Sequence, residues 1–87
     1  MYKKDVTVTN KTGLHARPAS EFAKTATRFK SDINILCKGK AANAKSILNI
    51  LAAGINAGTA LTISADGPDE KEAVDTLVRL VESRFGE

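Results

Sequence analysis

Tyr2, Val6 and Val8 alternate with Lys3, Asp5 and Thr7, the period of a half-buried strand, which ends near Thr9. Asn10 to Gly13 then supply turn chemistry. From Ala16 to Phe29, Ala19, Phe22, Ala23, Ala26 and Phe29 follow helical spacing, with Lys24, Arg28 and Lys30 toward the end where cations suit the macrodipole. Ile33, Ile35 and Cys37 alternate again, and Lys38-Gly39-Lys40 turns the chain into Ala41 to Ala44, a hairpin with a short second strand. Ser46 is placed to cap a short helix, Ile47 to Ala53, closed by Gly54. Leu61, Ile63 and Ala65 form the last alternating run before Asp66-Gly67-Pro68 breaks it. Asp69 with Glu72 resembles a capping box, and Val74, Leu77, Val78, Val81 and Phe85 make the apolar stripe of a final helix. Asp75 and Arg79 are spaced for an i, i+4 pair on its solvent side.

The predicted order is β-α-β-β-α-β-α. Strands with a single apolar face imply an α/β (α+β) fold of two layers, a sheet covered by helices on one side. Periodicity reports which face each residue occupies, not which strands are neighbours. The composition of the 87 residues, 43% hydrophobic and 26% charged, is that of one globular domain. A chain of this size buries about 60% of its unfolded surface, enough for one core without metals or disulfides.

Cys37 has no second cysteine to pair with, which points to a reducing compartment. No apolar run approaches the roughly 18 residues of a membrane span, and MYKKDV lacks the apolar region of a signal peptide, so a cytoplasmic protein without membrane insertion is expected. The net charge of +3 allows an acidic partner. It falls short of a nucleic-acid signature, and Tyr2 is the only aromatic residue in a predicted strand, against the exposed stacking platforms of RNA-binding sheets.

The candidate chemistry lies in TGLHARPAS, residues 12 to 20, which holds the only histidine. With no second histidine and no cysteine pair, neither a metal site nor His-assisted serine or cysteine catalysis is supported. His15 instead precedes a helix, whose first-turn N–H groups lack internal partners and attract anions. Neutral imidazole is itself a competent nucleophile toward phosphorus. Arg17 can give charge-assisted hydrogen bonds to a transferring phosphoryl group. Pro18 costs little in a first turn, and either His15 or Arg17 can be the cap. On spacing alone, a histidine at a loop-helix junction is more often a surface or capping residue than a nucleophile.

The run GLHARPA from Gly13 to Ala19 resembles the active-site signature of the HPr family, the histidine-containing phosphocarriers of the bacterial sugar phosphotransferase system. The resemblance extends over the whole chain: KSI at Lys45 to Ile47, Gly54, Gly58, LTISADG from Leu61 to Gly67, and the long last helix. It implies a single HPr domain over residues 1–87, an open-faced sandwich with a four-stranded antiparallel sheet under three helices. By resemblance, His15 accepts a phosphoryl group on Nδ1 from phosphorylated enzyme I, phosphoenolpyruvate being the ultimate source, and passes it to IIA domains of sugar permeases. Arg17 and the backbone N–H groups of Ala16 and Arg17 would hold the phosphoryl oxygens. The protein would be a stoichiometric carrier rather than an enzyme, monomeric and without cofactor or metal. A nitrogen-related phosphotransfer branch is the alternative within the fold.

Ser46 reads as a helix N-cap. The resemblance implies a second role as a regulatory phosphorylation site for an HPr kinase/phosphorylase, the phosphorylated form assisting a carbon catabolite repressor. Such a phosphate adds roughly two negative charges beside the docking surface. Ile47, Leu48, Ile50 and Leu51 cannot all face the core from so short a helix. An exposed aliphatic patch is a partner surface, and the resemblance implies docking on Ile47, Leu48 and Leu51, with Thr12, Arg17, Ser20 and Lys24 around them. The chain departs from common relatives at Asn49 and Ala52-Ala53.

Overall fold

The computed structural model describes residues 1–86. Among these, β1 (Tyr2–Thr7), β2 (Asp32–Cys37), β3 (Lys40–Asn43) and β4 (Ala60–Asp66) form one four-stranded sheet. The order is β1-β4-β2-β3, with every neighbouring pair antiparallel. Helices α1 (Ala16–Thr27), α2 (Ile47–Ala52) and α3 (Glu70–Glu82) cover one face. The fold class expected from the sequence is the one observed.

Alternation along the strands separates the two faces. Val6 opposes Leu61 across β1 and β4, and Ile35 opposes Ile63 across β2 and β4. These side chains are buried against Phe22 of α1, Ile50 of α2 and Val74, Leu77 and Val81 of α3. The other face is open and polar, where Thr62 donates a hydrogen bond to Asp5 Oδ1 at 2.6 Å.

Some boundaries shift for local reasons. The β1 ladder stops at Thr7, two residues before the predicted end, although Val8 remains bonded to Thr59 and Gly58 (2.9 and 2.7 Å). Helix α1 ends at Thr27 rather than Phe29, because the N–H groups of Arg28 and Phe29 reach only three residues back, to Thr25 and Ala26. The β2–β3 turn consists of Lys38 and Gly39, both with positive φ (53° and 79°), the pattern of a type I′ hairpin. Helix α2 closes one residue early at Ala52, with Gly54 left-handed beyond it.

Three predictions about the last helix need correction. Asp69 occupies the N-cap position of α3 but makes no side-chain capping bond. Its carboxylate instead accepts from Ser31 N–H (3.0 Å), the Ser31 hydroxyl (2.5 Å) and Lys30 N–H (2.9 Å). A tertiary clamp between the α1–β2 loop and α3 has replaced the local capping box. Asp75 does not pair with Arg79; it takes Lys4 Nζ at 2.9 Å and the Tyr2 hydroxyl at 3.2 Å, which ties edge strand β1 to α3. The Lys4 bond is the main reason the Asp75 carboxyl lies below the ordinary carboxylate range. Phe85 is buried as its place in the stripe requires, yet it is not on the helix. The chain turns through left-handed Arg84 and Phe85 (φ 59° and 54°), which returns the ring to the core. Burying a phenylalanine stabilises by about 1.5–3 kcal/mol, which is comparable to the cost of the two left-handed residues together, about 2–4 kcal/mol.

The clamp has a measurable pH signature. Hydrogen bonding from the Ser31 hydroxyl, then from Lys30 N–H, lowers the Asp69 pKa below its ordinary 3.8. The stability this contributes is complete above 3.8 and is lost as pH falls through the lower folded value. In thermal melts against pH, wild type should exceed Asp69→Asn at neutral pH, and the gap should narrow under acid. A gap that stays constant down to acid pH would remove this account.

Candidate functional site

Helix α1 begins at a junction held from three directions. Gly13 N–H bonds the Asn10 carbonyl at 3.1 Å, closing the turn after β1. Asn10 is buried, and its Nδ2 donates to the Gly13 carbonyl at 2.7 Å and to Thr12 Oγ1 at 3.3 Å. Leu14 N–H bonds the Ile55 carbonyl at 2.9 Å, pinning the junction to the segment that follows α2, and the Leu14 and Ile55 side chains are both buried.

His15 follows this anchor as the N-cap of α1, with extended backbone angles (φ −77°, ψ −169°). The structure settles which residue caps: His15 holds the position, but its side chain makes no capping bond, so the exposed imidazole is not spent on the helix end. Ala19 N–H bonds the His15 carbonyl at 2.7 Å and Pro18 has no N–H. Ala16 and Arg17 open the helix, and their first-turn amides point out of its N-terminal end. No acidic residue stands in this first turn to offset its positive character. Such an end attracts an anion beside the imidazole.

Arg17 reaches along α1. Its Nη1 donates to Glu21 Oε1 at 2.9 Å and to the Phe85 carbonyl at 3.4 Å. Ala16, Ser20 and Lys24 follow at i, i+4 and i+8, and Ser20 is half-buried while Lys24 is exposed. Thr12 is exposed beside the Asn10 amide.

Helix α2 packs beside α1. Ser46 is its N-cap, with Oγ accepting from Asn49 N–H (3.2 Å) and Asn49 Nδ2 (3.0 Å). Ile50 is fully buried, whereas Ile47, Leu48 and Leu51 are 39%, 79% and 40% exposed. Lys45 Nζ donates to the Phe29 carbonyl at 2.8 Å, joining the end of α1 to the start of α2. Among the described residues no cluster of three or more His, Cys, Asp or Glu could hold a metal ion, and no helix is long and apolar enough to cross a membrane.

Sequence reasoning placed Asn10 in the turn but missed its buried amide as the prop of the histidine loop, and it missed Glu21 and Ile55 altogether. Asn10 and Glu21 left a signal: an asparagine three residues before a glycine in a turn, and a glutamate four residues after Arg17 in one helix. Ile55 left none, because its contact with the histidine loop is tertiary.

Comparison with known proteins places the junction in a wider setting. The family model described as the PTS HPr component phosphorylation site matches residues 2–83. The chain is 48% identical over 82 residues to the phosphocarrier protein HPr of Vibrio cholerae, covering 94% of this chain and 96% of that one. Among solved structures, HPr-C-His from Thermoanaerobacter tengcongensis superposes with a TM-score of 0.97 at 47% identity, covering 100% of this chain and 98% of that one. An HPr dimer from the same organism gives a TM-score of 0.80 at 47% identity, with both chains covered fully.

Proposed function

From the premise that the chain belongs to the HPr family of phosphocarriers of the phosphotransferase system, we propose that residues 1–87 act as one HPr domain whose carrier atom is Nδ1 of His15. The observation that carries this reading is an exposed imidazole at the N-cap of α1, released from capping and set beside a first turn that holds no acidic residue. The Nδ1 lone pair attacks phosphorus on phosphorylated enzyme I, itself loaded from phosphoenolpyruvate. The new N–P bond forms as the donor's bond to phosphorus breaks. The reverse sense of the same exchange delivers the group to a IIA domain of a sugar permease. Amides of Ala16 and Arg17, with the Arg17 guanidinium, hold the phosphoryl oxygens. Stabilisation has to stay modest, because tight binding of the phosphorylated ground state raises the barrier to the next transfer. The protein is a stoichiometric carrier, working in the cytoplasm as a monomer. A phosphorus NMR spectrum after mixing with enzyme I and phosphoenolpyruvate should contain an acid-labile phosphohistidine substituted at Nδ1; an unlabelled protein would overturn the reading.

Docking uses the exposed aliphatic patch of Ile47, Leu48 and Leu51, with Thr12, Arg17, Ser20 and Lys24 on the surrounding face. Ser46 stands at the edge of this patch, and phosphorylation there by a dedicated kinase would repel an acidic partner, linking the carrier to a catabolite repressor. Leu48→Ser should weaken enzyme I binding by about tenfold, the loss of one largely buried leucine at an interface. Its effect on the fold should stay within about 0.5 kcal/mol, since the side chain is 79% exposed. Ser46→Asp keeps a competent cap and should also weaken binding, through charge. Calorimetric titration checks both, and unchanged affinity in Leu48→Ser would discard the patch.

A further inference from the structure

The ion pair between Arg17 and Glu21 is poorly placed as a helix stabiliser. In i, i+4 pairs the order with glutamate first is the better one, and a cation in the first turn faces the positive end of the macrodipole. Here the arginine comes first, as the second residue of α1, with the carboxylate a turn deeper. Both side chains are substantially exposed, so the pair adds little to folding. The carboxylate still engages, at 2.9 Å, the guanidinium that stands two residues from the carrier histidine.

We propose that Glu21 is a positioning residue that sets the transfer potential of phosphohistidine by competing for Arg17. The inference rests on the reading of His15 as the phosphoryl carrier. Arg17 is drawn toward Glu21 and the Phe85 carbonyl. A phosphoryl group on His15, bearing close to two negative charges, draws the guanidinium back toward the N-terminus of α1. A hydrogen bond from Arg17 to a phosphoryl oxygen then comes at the expense of its bond to Glu21, so the phosphorylated form is less stabilised than it would be without the carboxylate. Glu21 keeps the group transferable. Removing its charge lets Arg17 turn to the phosphoryl oxygens without that loss, and the phosphorylated state becomes the deeper minimum.

A competition experiment reads this directly. Isotope-labelled wild type and unlabelled Glu21→Gln, in equal amounts, share limiting phosphoenolpyruvate through catalytic enzyme I. In each exchange the N–P bond of one copy breaks as the phosphoryl group moves to enzyme I, and the N–P bond of the other forms on return. Intact mass then gives the equilibrium ratio of phosphorylated forms. Glu21→Gln should hold about two- to threefold more phosphate than wild type, the scale of one exposed ion pair. In an Arg17→Ala background the same substitution should shift nothing, because its effect passes through the guanidinium. Equal sharing between wild type and Glu21→Gln overturns the inference and leaves the carrier reading intact. An equal shift with and without Arg17 also overturns it, since Glu21 would then act by direct repulsion. Failure of wild type to take phosphate at all defeats the carrier reading itself.

Discussion

Replacing His15 by alanine is expected to abolish phosphoryl transfer outright, with no label from phosphoenolpyruvate and enzyme I above background. No other histidine exists in the chain to take over the N–P bond. Loss of fold would not explain the result: the side chain is exposed and contributes no capping bond, so stability should shift by no more than about 0.5 kcal/mol. Arg17→Ala should behave differently, slowing transfer by about tenfold or more while leaving it measurable. An arginine bonded to phosphoryl oxygens assists the transition state but does not form the bond. Undiminished labelling of His15→Ala would end the assignment of the carrier atom. Labelling of Arg17→Ala at the wild-type rate would remove only the arginine's part.

What the sequence made legible and what it hid divide along a physical line. Alternation in Tyr2 to Val8, Ile33 to Cys37 and Leu61 to Ala65 reports which side chains face inward, and those faces are the observed ones. Ser46 as a cap was readable for the same reason, since its partner is three residues away. The order β1-β4-β2-β3 was not readable, because a strand's own pattern carries no mark of its neighbour. Asp69 and Asp75 were misread where a local motif and a distant partner compete for one carboxylate. Asp69 found three donors in the loop after α1, and Asp75 found Lys4 on the edge strand. Two or three hydrogen bonds to a charged group outweigh a surface i, i+4 pair worth a few tenths of a kcal/mol. Phe85 shows the reverse case: the demand for burial was read correctly, while the backbone met it through a left-handed turn instead of another helical turn. At the candidate site, the residue types were legible as a signature, but the devices that hold them, Asn10 under the turn and the Ile55 carbonyl on Leu14, are tertiary and left at most a turn propensity.

The glycine of that signature gives the sharpest structural test. Gly13 has φ +63°, a left-handed conformation that costs a residue with a Cβ about 1 kcal/mol or more. Conformation is the smaller part of its role. A Cβ built there would sit 2.5 Å from the Ile55 carbonyl oxygen and 2.8 Å from Asn56 Cα, both main-chain atoms that cannot rotate away. The same carbonyl accepts the bond from Leu14 N–H, so relieving the clash pulls apart the anchor of the histidine loop. Gly13→Ala should therefore destabilise by about 2–5 kcal/mol, the sum of left-handed strain and overpacking, and lower the melting temperature by more than about 10 °C. Gly54→Ala is the matched control: φ is +62°, nearly the same, but nothing lies within 4 Å of the added carbon. It should cost only the conformational share, about 1 kcal/mol. Thermal melts of the two variants separate close approach from backbone angle, and equal losses would mean that the glycine in GLHARPA is there for its angle alone. A large loss at Gly13 together with slowed labelling of the protein that remains folded would tie the Leu14–Ile55 anchor to the placement of His15. The requirement for glycine would then lie in the 55–56 segment, distant in sequence, as much as in the turn itself.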